Sequence, residues 1–328
     1  MAEVKRHEVA ADEEGMRLDR WFKVHFPQVT FAYLNKLTRT GQVRVGTGRV
    51  KTNSRLKSGD EIRIPPLAFD KRPADIPKED VAPLTREERR LFDSMVIHED
   101  QDIFVLNKPS GFAVQGGTKT FRHLDGLLMG LGVELGERPL LVHRLDRDTS
   151  GVIVVAKRRA VAAALGKLFA TRIVKKTYWA VVKGLPSPPQ GKIEVALIKA
   201  KGPDGDRMRA SKTGEEEDEQ SAVTQYAVID KASKALAWLS LKPLTGRQHQ
   251  LRAHAAHIAT PILGDNKYGG DIDLPDGVVG KLHLHARRIV FPHPRKGIID
   301  ITAPLPEHMK HTFQLFGFDG ERYDSKDD

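Results

Sequence analysis

Residues 66–94 interrupt everything around them. Pro66, Pro73, Pro77 and Pro83 stand there among charged side chains. Proline fixes φ and removes a backbone donor, so neither a helix nor a central strand can run through such a stretch. The composition is that of a linker. It divides the chain into a short front part and a long rear part, in line with the two domains that 328 residues suggest. The expected boundaries are an extension over 1–15, a small domain over 16–65, a linker over 66–95, a large domain over 96–318 and a tail over 319–328.

The front part is strongly basic. Residues 16–65 hold eleven Lys and Arg against three Asp and Glu, so +8 of the net +10 sits in this short segment. Leu18, Trp21, Phe22 and His25 recur at helical spacing before Pro27. Thr30 is a suitable N-cap for a second helix, which Gly41 would end. Short alternating segments over 42–51 and 61–64, separated by Gly-containing turns, read as a hairpin and a further strand. A compact basic module beside a near-neutral body has the charge distribution of a nucleic-acid handle. Lys36, Arg39, Arg44, Arg49, Lys51, Arg55 and Lys57 are its expected phosphate contacts.

In the rear part, 103–106, 151–156, 177–182, 235–241, 282–286 and 298–302 read as strands. Residues 160–169, 248–257 and 307–316 read as helices. Strands outnumber helices and do not alternate with them regularly, which points to an α+β or mixed fold. The acidic run Glu215–Glu219 reads as part of a surface insertion over 201–221, and the tail as frayed.

Absences narrow the chemistry. The chain has no cysteine, which excludes disulfides, thiol catalysis and Cys-ligated metals. It has no Walker loop and no G-x-G-x-x-G after a strand, so no nucleotide cofactor is expected. The histidines lack the spacing of metal-ligand motifs and read as structural, so no metal is expected either. No apolar run reaches membrane-spanning length, and the first fifteen residues carry no secretory pattern. A cytoplasmic monomer is the expectation.

The densest group of reactive side chains is His143-Arg144-Leu145-Asp146-Arg147-Asp148-Thr149-Ser150, immediately before the apolar strand that starts at Gly151. A loop feeding a buried strand has a rigid support. An ionised Asp146 between two arginines can serve as nucleophile or base, and the same pattern is compatible with a structural turn. A second group, Thr245 to His254, opens on a glycine turn, with Arg247 at its start and Arg252 placed to face inward. A buried arginine needs a carboxylate, and Asp146 is the candidate partner. Tyr178, on a strand, is either a core residue or a ring that stacks on a base.

These residues carry a family resemblance. HRLDRDTSGVIVVAK resembles the signature of the RluA family of RNA pseudouridine synthases, and IFVLNKPSGFAVQGG, KKTYWAVVKG, TGRQHQLRAH, PILGDNKYG and LHLHA extend it in the family's order. The front module resembles an S4 RNA-binding domain, a combination found in the large-subunit ribosomal RNA branch. The resemblance implies a mixed, largely antiparallel sheet with a central cleft, no cofactor, and large-subunit (23S) rRNA as partner. It implies that Asp146 is catalytic, that Arg252 pairs with it, and that Tyr178 stacks on the target uracil. It further implies that Arg144 fills the gap left by the flipped nucleotide, with Leu284 an apolar wall of the pocket. Two rival readings are a non-catalytic S4-type assembly factor and a tRNA pseudouridine synthase.

Overall fold

The computed structural model describes residues 4–67, 82–116, 122–202, 205–211, 218–270 and 273–324. The chain divides into two compact units, Met1–Asp80 and Val81–Asp328. Residues 68–81 of the proline-rich stretch, Glu215–Glu217 of the acidic run and the last four residues lie outside the described residues.

The first unit contains β1 (Lys5–Glu8), α1 (Leu18–His25), α2 (Phe31–Arg39), β2 (Arg44–Val45), β3 (Gly48–Arg49) and β4 (Glu61–Ile64). Thr30 caps α2, its Oγ1 accepting the Tyr33 N–H at 3.3 Å, and Gly41 follows the helix at φ 69°. The strands form one sheet in the order β1-β4-β2-β3. Leu18, Trp21, Phe22, Leu34, Leu37, Ile62 and Ile64 pack as its core. The expected extension over 1–15 is corrected here: β1 pairs antiparallel with β4 and Val9 is buried in the same core, so this segment is part of the unit. The alternating Lys5–Glu8 strand is too polar to announce itself by hydrophobic pattern.

The second unit begins with α3 (Arg86–Met95), β5 (Val96–Glu99), β6 (Ile103–Lys108), α4 (Leu124–Leu135), β7 (Leu140–Leu141), β8 (Ser150–Ala156) and α5 (Arg159–Phe169). It continues through β9 (Lys175–Lys183), β10 (Gln190–Glu194), β11 (Leu197–Gly202), β12 (Gly205–Ala210), β13 (Val223–Ala232) and β14 (Leu236–Pro243). It closes with α6 (Gln250–His257), β15 (Leu284–Pro292), β16 (Ile298–Thr302), α7 (Glu307–Phe316) and α8 (Glu321–Asp324). The main sheet runs β10-β13-β14-β9-β15-β8-β6-β5, with β16 on β15 and β7 on β8. Among the described strands only β8 and β15 pair in parallel, so the sheet is mixed and largely antiparallel.

Two boundaries differ from the expectation. Residues 85–95 are not linker: Thr85 and Glu88 form a reciprocal capping box, and Phe92 and Met95 are buried in the second unit. Residues past 318 are held as far as 324, where Tyr323 sets its ring edge-on to Trp238 at 5.3 Å.

The β8–β15 crossing positions the site. Gly151 sits at φ 111°, and a Cβ there would come within 2.6 Å of the Ala286 nitrogen. Only glycine lets the two backbones approach this closely while leaving Ser150 to turn toward β15.

Candidate active site

The loop 142–149 delivers Asp146, and the turn after β6 fastens that loop. Lys108 is fully buried, and its Nζ donates to the carbonyls of Pro109, Phe112 and Arg147 at 2.9, 2.8 and 2.9 Å. Gly111 N–H also reaches the Arg147 carbonyl at 3.0 Å, and Ser110 Oγ the Asp148 carbonyl at 2.8 Å. Burial pushes the Lys108 ammonium down to about 7, with Asp148 and Asp146 opposing the shift. At the far end of the loop Ser150 Oγ meets His285 Nδ1 at 2.9 Å. His143 accepts the Val154 N–H at 2.9 Å and stacks on Phe169. Burial holds His143 and His285 down to about 3, so both are neutral struts, as expected of structural histidines.

A cavity of about 440 Å³ opens over this loop. Asp146, Arg144, Tyr178, Leu284, Arg247 and Arg252 all line it, so the structure brings the expected set together. Asp146 is partly exposed, its side chain 19% accessible, which leaves a carboxylate both reachable and partly desolvated. Tyr178 projects from β9; burial, and then the charge of Asp146, push its phenol well above the ordinary range, so it stays protonated. Leu284, at the start of β15, supplies a buried apolar wall. Arg144 is exposed beside the cavity, and Arg247 is tied by its Nε to the Ser221 carbonyl at 2.9 Å.

The expected Arg252–Asp146 pair is corrected. Arg252 makes a buried, bidentate ion pair with Asp265, Nε to Oδ2 at 2.8 Å and Nη2 to Oδ1 at 2.6 Å. Asp265 also accepts the N–H groups of Lys267 and Tyr268 at 2.9 and 3.0 Å. A fork–fork pair saturates the guanidinium's best face, so Arg252 acts on Asp146 through its field rather than by contact. Burial lowers the Arg252 pKa, but the bond and charge of Asp265, with help from Asp146, more than reverse this.

His249 faces Asp146, its Nε2 4.0 Å from Oδ1. His249 caps α6 in the left-handed region at φ 51°, which aims its ring into the cavity. Tyr268 Oη accepts the Met208 N–H at 2.7 Å and lies 3.0 Å from His249 Nδ1. The hydroxyl has one proton to give and a further lone pair, so it can bond Nδ1 in either tautomer and holds the ring with Nε2 facing the carboxylate. Burial lowers the His249 pKa, Asp146 opposes this, and Arg252 and Lys267 reinforce it. His249, Asp265 and Lys108 are the site residues that sequence reasoning missed. Asp265 and Lys108 lie in the segments PILGDNKYG and LNKPSG, but spacing alone gives no sign of what they touch.

Among the described residues no group of three or more His, Asp or Glu side chains could hold a metal ion, and no helix is long and apolar enough to cross a membrane. On the first unit, Lys36, Arg39, Arg49, Lys51, Arg55 and Lys57 are exposed, and Arg44 is half-buried with its Nε on the Gly41 carbonyl.

Residues 102–257 match the model of the RNA pseudouridylate synthase family. The chain is 35% identical over 320 residues to ribosomal large subunit pseudouridine synthase C of Escherichia coli (strain K12), covering 95% of this chain and 96% of that protein. It is 32% identical over 318 residues to the protein of the same name from Haemophilus influenzae, covering 95% and 94%. Among solved structures, human RNA pseudouridylate synthase domain containing 4 superposes with a TM-score of 0.59 at 28% identity, over 70% of this chain and 97% of that one. The mixed sheet, the loop that carries Asp146 and the likeness along nearly the full length agree, and the chain belongs to the RNA pseudouridylate synthase family, whose members are enzymes.

Proposed function

We propose that this protein isomerises uridine to pseudouridine in large-subunit ribosomal RNA, with Asp146 as the group that acts on the ribose. The observation that carries the reading is the setting of Asp146: a reachable carboxylate in a cavity walled by a tyrosine ring and a leucine, on a loop pinned at both ends.

The reaction breaks the N1–C1′ bond, turns the uracil and forms a C5–C1′ bond. The proton on C5 leaves and N1 gains one, so atoms and electrons balance without an oxidant or reductant. Asp146 can enter this sequence by attacking C1′ or by removing a sugar proton. A base in a stacked helix is out of reach, so the uridine must leave its stack, at a cost of a few kcal/mol. The Tyr178 ring offers a stacking face for the flipped uracil and Leu284 closes the apolar side. Exposed Arg144 can fill the vacated space and meet phosphate. The basic front unit, which resembles an S4 domain, supplies sequence-independent hold on the rRNA through its lysines and arginines. A protein that only bound RNA would have no use for a partly desolvated carboxylate beside a flipped-base pocket.

Asp146→Asn tests the assignment. The variant keeps shape and loses charge, so rRNA binding should persist while pseudouridine formation on an rRNA fragment falls to background. Near-normal turnover would overturn the role of Asp146.

A further inference from the structure

His249 occupies the N-cap of α6, where its carbonyl accepts the Ala253 N–H at 2.9 Å. Its side chain makes no capping bond, although that is the usual work of a polar side chain at this position. Its φ of 51° is left-handed, a costly conformation for a residue with a Cβ unless the surroundings hold it there. What this backbone achieves is the direction of the ring. Nδ1 meets the Tyr268 hydroxyl at 3.0 Å, and Nε2 points at Asp146. Tyr268 is itself fixed from three sides. Its hydroxyl accepts the Met208 N–H from β12, its own N–H bonds Asp265, and the Arg252 guanidinium lies over its ring at 5.2 Å.

A neutral imidazole has one N–H and one ring lone pair. The Tyr268 hydroxyl accommodates either at Nδ1. The carboxylate does not: an anion 4.0 Å from Nε2 attracts an N–H there and repels a lone pair. With Nε2 protonated and the Tyr268 hydroxyl donating to Nδ1, both ends of the ring are satisfied. Burial raises the Tyr268 pKa, so the hydroxyl keeps the proton this needs. At 4.0 Å the Nε2–Oδ1 contact is longer than a hydrogen bond. A small rotation of the Asp146 side chain closes it, and active-site bonds that are long in a free enzyme shorten when substrate fills the site.

We infer that His249, braced by Tyr268, is a positioning residue for Asp146: its Nε2–H engages Oδ1 when a uridine occupies the cavity and fixes the carboxylate with Oδ2 toward the ribose. The ring forms no covalent bond and its proton stays on Nε2. The inference rests on the reading of Asp146 as the group that acts on the ribose. Acid should undo the arrangement. Burial lowers the His249 pKa, with Asp146 and Asp265 favouring the charged ring and Arg252 and Lys267 opposing it. As the pH falls through that lowered value the ring becomes a full cation beside Asp146. The resulting ion pair weakens the carboxylate both as nucleophile and as base.

The test compares His249→Asn with His249→Gln in the full chain. Asparagine suits the left-handed backbone, but its amide is too short to stand in for Nε2; the longer glutamine amide offers an N–H near that place. Single-turnover rates at saturating rRNA fragment and dissociation constants for the same fragment are measured, and thermal melting shows whether each variant is folded. His249→Asn should slow the single turnover on the order of 10²-fold, as expected of a misplaced reacting group, with the dissociation constant unchanged. His249→Gln should recover most of that loss. Tyr268→Phe removes the hydroxyl and keeps the ring, so it should slow the turnover by a smaller factor, and it carries the comparison if the Asn variant does not fold. Imidazole ¹⁵N shifts of the wild type should show the neutral His249 ring protonated at Nε2. The wild-type rate should fall in acid through a titration that His249→Gln lacks. A folded His249→Asn protein as fast as wild type, a Gln variant no faster than the Asn variant, a ring protonated at Nδ1, or the same acid limb in wild type and His249→Gln overturns the inference. Failure of the catalytic reading would show separately, as wild-type protein that binds the fragment but forms no pseudouridine.

Discussion

At the scale of single residues, a side chain's type was easier to read than its partner. Asp146 stands out because it is a carboxylate in a loop that runs straight into an apolar strand. Arg252 was legible as an inward-facing arginine, yet its counter-ion is Asp265, thirteen residues on, past the end of α6. Two carboxylates were available, and only the tertiary path around Gly264 selects one of them. That glycine, at φ 69°, brings Asp265 back under the helix. His249 was hidden for a related reason: its left-handed backbone, not its spacing, turns it toward Asp146. The buried pair makes a definite prediction. Arg252→Met leaves a wholly buried carboxylate with only backbone N–H partners, and breaking such a pair costs roughly 3–5 kcal/mol. Urea denaturation should show a loss of that size. Activity should fall as well, because Asp265 also holds the Tyr268 backbone whose hydroxyl meets His249. A variant as stable as wild type would mean that the ion pair is not a structural support.

Whole elements were legible where one face is apolar and the period is clear. The helix over 307–316 is reproduced at both ends as α7, and the apolar run before Lys157 is β8. Helix α4 went unseen because its sequence, LDGLLMGLGVEL, is apolar nearly all round and holds three glycines, which lower helical propensity. The structure shows why two of them are there. A Cβ at Gly132 would come within 2.7 Å of the Arg138 backbone, and one at Gly130 within 2.8 Å of Leu84. Close approach also decides the β8–β15 crossing, where the register sets His285 opposite Ser150 and Ala286 opposite Gly151. Gly151→Ala should therefore damage the element and not merely the residue. It adds a left-handed strain of about 1–3 kcal/mol to a clash with backbone that cannot move aside. The expected outcome is a total loss of several kcal/mol, seen as a lower urea midpoint, with pseudouridine formation reduced in the protein that remains folded. A fully stable Gly151→Ala protein would show that the crossing relaxes more easily than its geometry indicates.

Over the whole molecule, charge and packing divide the work between the two units. The first has its own core around Trp21 and Phe22 and holds the basic segment 16–65; the second holds every residue assigned to chemistry. Leu67 packs with the first core and Leu84 with the second, so a cut between them spares both. Thr85 then caps α3 at the start of the remaining chain. A protein of residues 82–328 should fold on its own. It keeps the pocket but loses Lys36, Arg39, Arg44, Arg49, Lys51, Arg55 and Lys57. Each phosphate contact removed takes about 0.7–0.9 from the salt slope, so the shortened protein should bind rRNA more weakly and with a flatter dependence on salt. Its single-turnover rate at saturating RNA should stay close to that of the full chain, because the loop, the clamp at Lys108 and the Tyr268–His249 contact all belong to the second unit. Unchanged affinity and slope would remove the front unit from RNA binding. A collapsed rate at saturation in a folded protein would mean instead that the front unit takes part in placing the uridine.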